Sequence, residues 1–332
     1  MSRLCHSATS SPCHIQTPTE IYRVEYPEIE AFTEKQLDIF WTHKEIKVEK
    51  DIHDILTNFT EAEKHGVFTT LKLFTMYEMK AGSEYWTGRF MKMFPRHEFQ
   101  AMGATFGMME LAVHAKFYNK INELLNATDD SFYTDYVNNP ILKERMEFVD
   151  QVIDHDDDLI SLAGFSMVEG VVLYSSFAFL KHFQSLGKNK LVNVVRGINS
   201  SAIDEELHSL AGAWCFKELL RQRGNIDIYH FTYIIHTLAR KVYEHEAAII
   251  DMTFENGEIE GITKYQMREF VMSRINLCLE NLGLDPLYAE GDEDVISNWF
   301  YKNMKGYNMN DFFTGKGREY QRKWSEGGFV WK

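Results

Sequence analysis

From Leu159 to Leu180 the chain runs for 22 residues with one charged side chain, Glu169, near its middle. A segment of that length and polarity fits either a lipid bilayer or the centre of a large helical bundle, apolar on every side. A lone carboxylate at mid-bilayer is costly. Asp154, Asp156, Asp157 and Asp158 precede the run, Lys181 follows it, and no other stretch has the character of a span. The run is therefore read as a helix buried in a bundle, with no membrane contact expected. The chain has the material for such a bundle: 332 residues, 45% hydrophobic and 14% aromatic, enough for one large core.

The six prolines, at 12, 18, 27, 95, 140 and 286, leave three long proline-free stretches. This favours long helices over a many-turned β architecture. Periodicity predicts helices at about 28–40, 60–93, 97–126, 140–157, 159–186, 189–222, 226–255 and 262–282. Pro95 and Asn138-Asn139-Pro140 separate helices, and Gly187, Gly224 and Gly257 mark ends or turns. The fold class is all-α. Residues 1–25, rich in Ser and Thr, are expected to form a flexible segment, 26–305 the helical domain, and 306–332 a tail rich in Gly, Lys, Arg and aromatics. A net charge of −14 argues against nucleic-acid binding through phosphates. Four cysteines make no disulfide framework, so a reducing, cytoplasmic setting is expected, and the first residues carry no apolar run of leader length. Cys5-His6 and Cys13-His14 lie in a Ser/Thr-rich setting and are read as uninvolved in metal binding.

Four of the helices carry carboxylates on apolar faces. Glu78 has Leu71, Phe74, Ala81 and Tyr85 at helical spacings around it. Glu110 and His114, four apart, share a face with Phe106, Phe117 and Tyr118. Glu169 has Leu173 and Phe177 at one and two turns, and Glu205 and His208, three apart, share a face with Ile198, Ser201 and Cys215. Other close acid–histidine pairs read differently: Glu61/His65 lies at a polar helix start and Asp227/His230 at a helix cap. Carboxylates are rarely buried unless paired or metal-bound, and these helices offer no matching inward Lys or Arg. Two divalent cations would balance four carboxylates and leave both imidazoles neutral. Such oxygen-rich ligation suits iron or manganese better than zinc or copper(I), and the layout is that of a ferritin-like dimetal bundle, with four core metal-binding helices plus extra helices.

These segments also resemble the small, radical-generating (beta) subunit of class I ribonucleotide reductase. The likeness is carried by Phe40-Trp41, by LKLFTMYE ending at Glu78, by His114-Ala-Lys-Phe-Tyr118, by VEGVVLYSSFAF around Glu169, and by Asp204-Glu-Glu-Leu-His208. The resemblance implies metal ligands at Glu78, Glu110, His114, Glu169, Glu205 and His208, and a radical at Tyr118, one turn past His114. Leu173 and Phe177 would shield that tyrosine from water. Trp41 and Asp204 would begin a relay to a large catalytic subunit, with Asp204 orienting His208 or His114. In the tail, Tyr320 would be the last relay stop, Trp324 a lesser candidate, and Phe329 and Trp331 apolar anchors on the large subunit.

Two positions depart from the family pattern. Many members have Asp where this chain has Glu78, a feature of branches pairing manganese with iron, so di-iron, manganese/iron and di-manganese all remain open. The family spaces the Glu and His of the second helix by three, whereas here position 111 is Leu and the acid is Glu110. A one-residue helical bulge would restore the geometry, and straight spacing of four also keeps both on one face. The resemblance also implies a homodimer and leaves room for an activase protein that delivers the oxidant. Two other uses of the same core stay open. A ferritin-like oxidase or hydroxylase would need an open pocket for a small substrate. A storage or structural bundle would tolerate Tyr118→Phe. The relay-like residues favour the first reading.

Overall fold

The computed structural model describes residues 13–224, 226–289 and 295–303. Among the described residues the main elements are helices: α1 (Pro27–Asp38), α2 (Glu61–Met79), α3 (His97–Met109), α4 (Ala115–Leu124), α5 (Asp130–Asn138), α6 (Pro140–Ile153), α7 (Asp158–Val171), α8 (Tyr174–Lys181), α9 (Val192–Arg223), α10 (Ile228–Thr253), α11 (Lys264–Leu282) and α12 (Val295–Phe300). The ends follow local chemistry. Thr60 and Glu63 exchange hydrogen bonds at the start of α2, and Thr263 and Gln266 do the same for α11, each satisfying two orphan amides. Asn139 caps α6 with Pro140 in its first turn. Asp227 caps α10 by accepting from the His230 amide, as expected.

The apolar run forms the centre. Every residue of α7 from Leu159 to Val171 is buried. By length and composition alone, Asp158–Gln184 passes for a membrane span, yet its span-length window is wholly buried inside the fold. It packs most extensively against α9, with α6, α10 and α11 around it.

The expected helix at 159–186 is in fact two. After α7 the backbone is extended at Val172 and left-handed at Leu173 (φ 78°), and α8 then begins at Tyr174. A left-handed leucine costs about 1–2 kcal/mol, so the surrounding packing must hold it there. Two other helices widen instead of breaking. α2 runs into a π-helical segment at Lys80–Phe90, and α3 joins α4 through another at Glu110–His114. These widened stretches cross closely. A Cβ at Gly82 would lie 2.6 Å from Leu111 Cγ, and one at Gly107 would lie 2.5 Å from Thr87 Cγ2.

Of the segment 1–25, the described residues 13–25 make contacts with the helices. Ile15 is fully buried and its amide donates to Gln222 Oε1 at 2.9 Å. Gln16 donates to Asp158 at 2.7 Å, and Glu25 pairs with buried Arg96 at 2.8 Å.

Candidate metal centre

Four helical segments bring the six expected donors to one place. Glu78 comes from the end of α2, Glu110 and His114 bracket the π segment, Glu169 comes from α7, and Glu205 and His208 from α9. All six are at most 1% exposed. They form two sets of donor atoms, each set lying within 4.8 Å: Glu78, Glu110, His114 and Glu205, and then Glu110, Glu169, Glu205 and His208. Glu110 and Glu205 belong to both. Two neighbouring cations, if bound, would share these two carboxylates.

Of the two readings of the Glu110/His114 spacing, the structure takes the bulge. A π turn takes in one residue more than an α turn. Two donors four apart therefore stand about where an α-helix places donors three apart.

The contacts fit cations better than hydrogen bonds. His114 Nδ1 lies 2.9 Å from Glu110, 3.2 Å from Glu205 and 3.6 Å from Glu78. His208 Nδ1 lies 2.7 Å from Glu110, 3.7 Å from Glu205 and 3.8 Å from Glu169. Neither nitrogen makes a properly directed hydrogen bond, and the same holds for the carboxylate oxygens of these four acids apart from Glu169 Oε1. Such orphaned atoms in a dry core are costly, unless something positive sits among them.

The outer ring nitrogens indicate the tautomer. His114 Nε2 lies 2.9 Å from Asp204 Oδ2. Gln36 donates its amide to Asp204 Oδ1 at 2.8 Å and presents its carbonyl oxygen 3.1 Å from His208 Nε2. With cations among the donors, each imidazole would donate outward through Nε2 and turn its Nδ1 lone pair inward, the tautomer a metal ligand needs.

Without cations the charges conflict. Burial, and next the Glu110 charge, push the Glu78 carboxyl well above its ordinary range. Burial, and next Glu205, do the same to Glu169. Burial opposes ionisation of Glu110 too, but the two imidazoles hold it low. Two divalent ions would remove this conflict, so the residues present fit the group.

Around the donors lies a second set of contacts. Asp204 also accepts the Trp41 indole N–H at 2.7 Å, and the Trp41 ring stacks on His114 with centroids 5.7 Å apart. Of the two histidines expected for Asp204, it is His114 that it contacts, while Gln36 serves His208. Trp86 donates to Glu169 Oε1 at 2.9 Å. Sequence reasoning missed both Gln36 and Trp86. Gln36 carried a weak signal as a polar residue on the Ile29–Phe32 face of α1, whereas Trp86 read as one more core aromatic.

Tyr118 is fully buried, and its hydroxyl makes no well-directed hydrogen bond. Burial, then the Glu78 charge, raise its phenol well above the ordinary range. The ring in face contact with it is Phe74, at 4.2 Å, and Phe177 stacks on Phe74 at 5.4 Å. Tyr320, Trp324, Phe329 and Trp331 lie outside the described residues.

The model of the family "Ribonucleotide reductase, small chain" matches residues 18–294. The chain belongs to this family. A probable ribonucleoside-diphosphate reductase small subunit of Invertebrate iridescent virus 3 is 25% identical over 331 residues, covering 92% of this chain and 85% of the relative. The ribonucleoside-diphosphate reductase subunit beta of Bacillus subtilis is 24% identical over 68% of this chain and 69% of its own. Among solved structures, a dimanganese(II) NrdF of Streptococcus sanguinis shares the fold with a TM-score of 0.75 at 22% identity, over 83% of this chain and 96% of that one. A putative class I ribonucleotide reductase of Bacillus halodurans gives 0.72 at 23%, over 83% and 99%. The ribonucleotide reductase small chain is thus an all-α, ferritin-like protein and part of an oxidoreductase, and the carboxylate–imidazole cluster at its centre suggests a dimetal site.

Proposed function

We propose that Glu78, Glu110, His114, Glu169, Glu205 and His208 hold two iron or manganese ions in this ribonucleotide reductase small chain, and that Tyr118 carries the radical formed there. The observation supporting this is the inward convergence of two Nδ1 atoms and orphaned carboxylate oxygens in two overlapping sets. When bound, such a pair supplies the oxidising power that removes one electron and one proton from a phenol. The chain does the rest. The π segment sets Glu110 and His114 in register. Asp204 and Gln36 fix both imidazole tautomers. Phe74 covers the Tyr118 ring and excludes water, which would quench a radical.

Trp41, Asp204 and His114 form a continuous hydrogen-bonded and stacked path from the donors towards α1. This path is the proposed exit of the oxidising equivalent, with Tyr320 in the tail 306–332 as a later stop on the way to a large catalytic subunit. A homodimer follows from the family. Manganese finds support in Glu78 standing where many members have Asp, and in the dimanganese neighbour of similar fold.

The test separates forming the radical from exporting it. Trp41→Phe keeps an aromatic ring against His114 but loses the N–H to Asp204. In protein reconstituted with iron or manganese, the Tyr118 electron paramagnetic resonance signal is expected to keep its wild-type yield. Ribonucleotide reduction with the large subunit is expected to fall to background. Full turnover in this variant would rule out Trp41 as the exit.

A further inference from the structure

The helix break after Glu169 has a consequence for the carbonyl groups beside it. Because Val172 is extended and Leu173 left-handed, Gly170 C=O loses the amide four residues on that would satisfy it within a helix. It is buried, with no water to replace that amide, and an unpaired carbonyl there is costly. Arg274, on α11 and only 1% exposed, supplies the replacement. Its Nε and Nη2 both donate to Gly170 O, at 2.9 and 2.7 Å.

The same guanidinium reaches the other metal-bearing helix. Nη2 donates to Glu206 Oε2 at 2.6 Å, and Glu206 is the residue after Glu205. The Tyr174 ring lies 3.9 Å beneath the guanidinium, and the Tyr174 hydroxyl donates to Glu206 and to Ala202 O. Nη1 donates to the Tyr301 hydroxyl at 2.9 Å. The packing has no slack: a Cβ on Gly170 would lie 2.4 Å from Cys278 Sγ, one turn along α11, and 2.5 Å from Ser209 Oγ on α9.

From these contacts we infer that Arg274 is a positioning residue for the second metal position, the set formed by Glu110, Glu169, Glu205 and His208. It caps the helix that carries Glu169 and ties that cap to the helix that carries Glu205, so it fixes the separation of two donors it never touches. A planar, forked cation is suited to this, because it can hold a carbonyl and a carboxylate at once. Lysine in its place offers a point charge and cannot serve both in the same geometry. The inference rests on the dimetal reading above.

The test uses the full-length, metal-free chain titrated with Mn(II) and followed by electron paramagnetic resonance, in which the exchange-coupled signal appears only when both positions fill. Melting of the metal-free forms is measured alongside. In Arg274→Lys the second ion is expected to bind about 10–100-fold more weakly, the usual effect of losing an outer partner of a metal ligand, and the first, which shares Glu205 but not Glu169, to lose clearly less. Tyr301→Phe, which removes the Nη1 contact and leaves the bonds to Gly170 and Glu206 in place, should bind both ions as wild type does. A merely structural arginine would lower the melting temperature and weaken both ions alike. Equal loss at both positions, or no loss at the second, overturns the proposal. A wild-type chain that takes up no pair of ions overturns the dimetal reading itself, and this inference with it.

Discussion

Tyr118→Phe is expected to abolish the organic radical and, with it, ribonucleotide reduction, while two metal ions per chain remain bound. The two effects separate because Tyr118 belongs to neither donor set. Its hydroxyl makes no well-directed hydrogen bond, only a contact with Ser201, so replacing it with hydrogen costs little, and the ring still stacks on Phe74. Removing a buried polar atom that makes no well-directed bond is close to neutral for folding, so the melting temperature is expected to stay near wild type. Electron paramagnetic resonance of the reconstituted variant reads the radical, metal analysis reads the ions, and turnover with the large subunit reads the activity. A radical signal of unchanged size would place the oxidising equivalent on another residue.

Glu110→Gln is expected to cost the chain both ions. Glu110 stands in both donor sets, whereas Glu78 stands in one. Glu78→Gln should therefore weaken mainly the first ion, and Glu110→Gln both, although each removes one negative charge. Thermal melting gives a second readout, taken as the gain on adding metal. Free of metal, Glu110→Gln loses a carboxylate that the two imidazoles hold ionised, so each form is compared with its own metal-free melt. With metal, wild type gains RT ln(1 + [M]/Kd), about 4 kcal/mol per ion at a thousandfold excess over Kd, and the variant gains almost none. A variant that melts with metal as wild type does would show that Glu110 bridges nothing.

Much of this site is legible in the sequence alone, because a carboxylate on an apolar helical face is a physical anomaly that the residue pattern displays openly. Glu78, Glu169 and Glu205 stand out for that reason, and helical spacing joins His114 to Glu110 and His208 to Glu205. The same logic lets the spacing of four in the second helix be read as a bulge, seen in the fold as the π turn at Glu110–His114. Other features have no local signal. Neither Val172 nor Leu173 is a helix breaker, and the break between them is sustained from outside, by Arg274 more than 100 positions away. Gln36 and Trp86 act through contacts 172 and 83 residues distant in sequence, where periodicity is silent. The short helix Asp130–Asn138 is too brief for a helical period to stand out.

The most direct measurement is anomalous X-ray diffraction from crystals of the full-length protein loaded with manganese. Two peaks are expected per chain: one within bonding distance of Glu78, Glu110, His114 and Glu205, the other of Glu110, Glu169, Glu205 and His208. Peaks elsewhere, or a single peak that leaves Glu169 and His208 without an ion, would contradict the account.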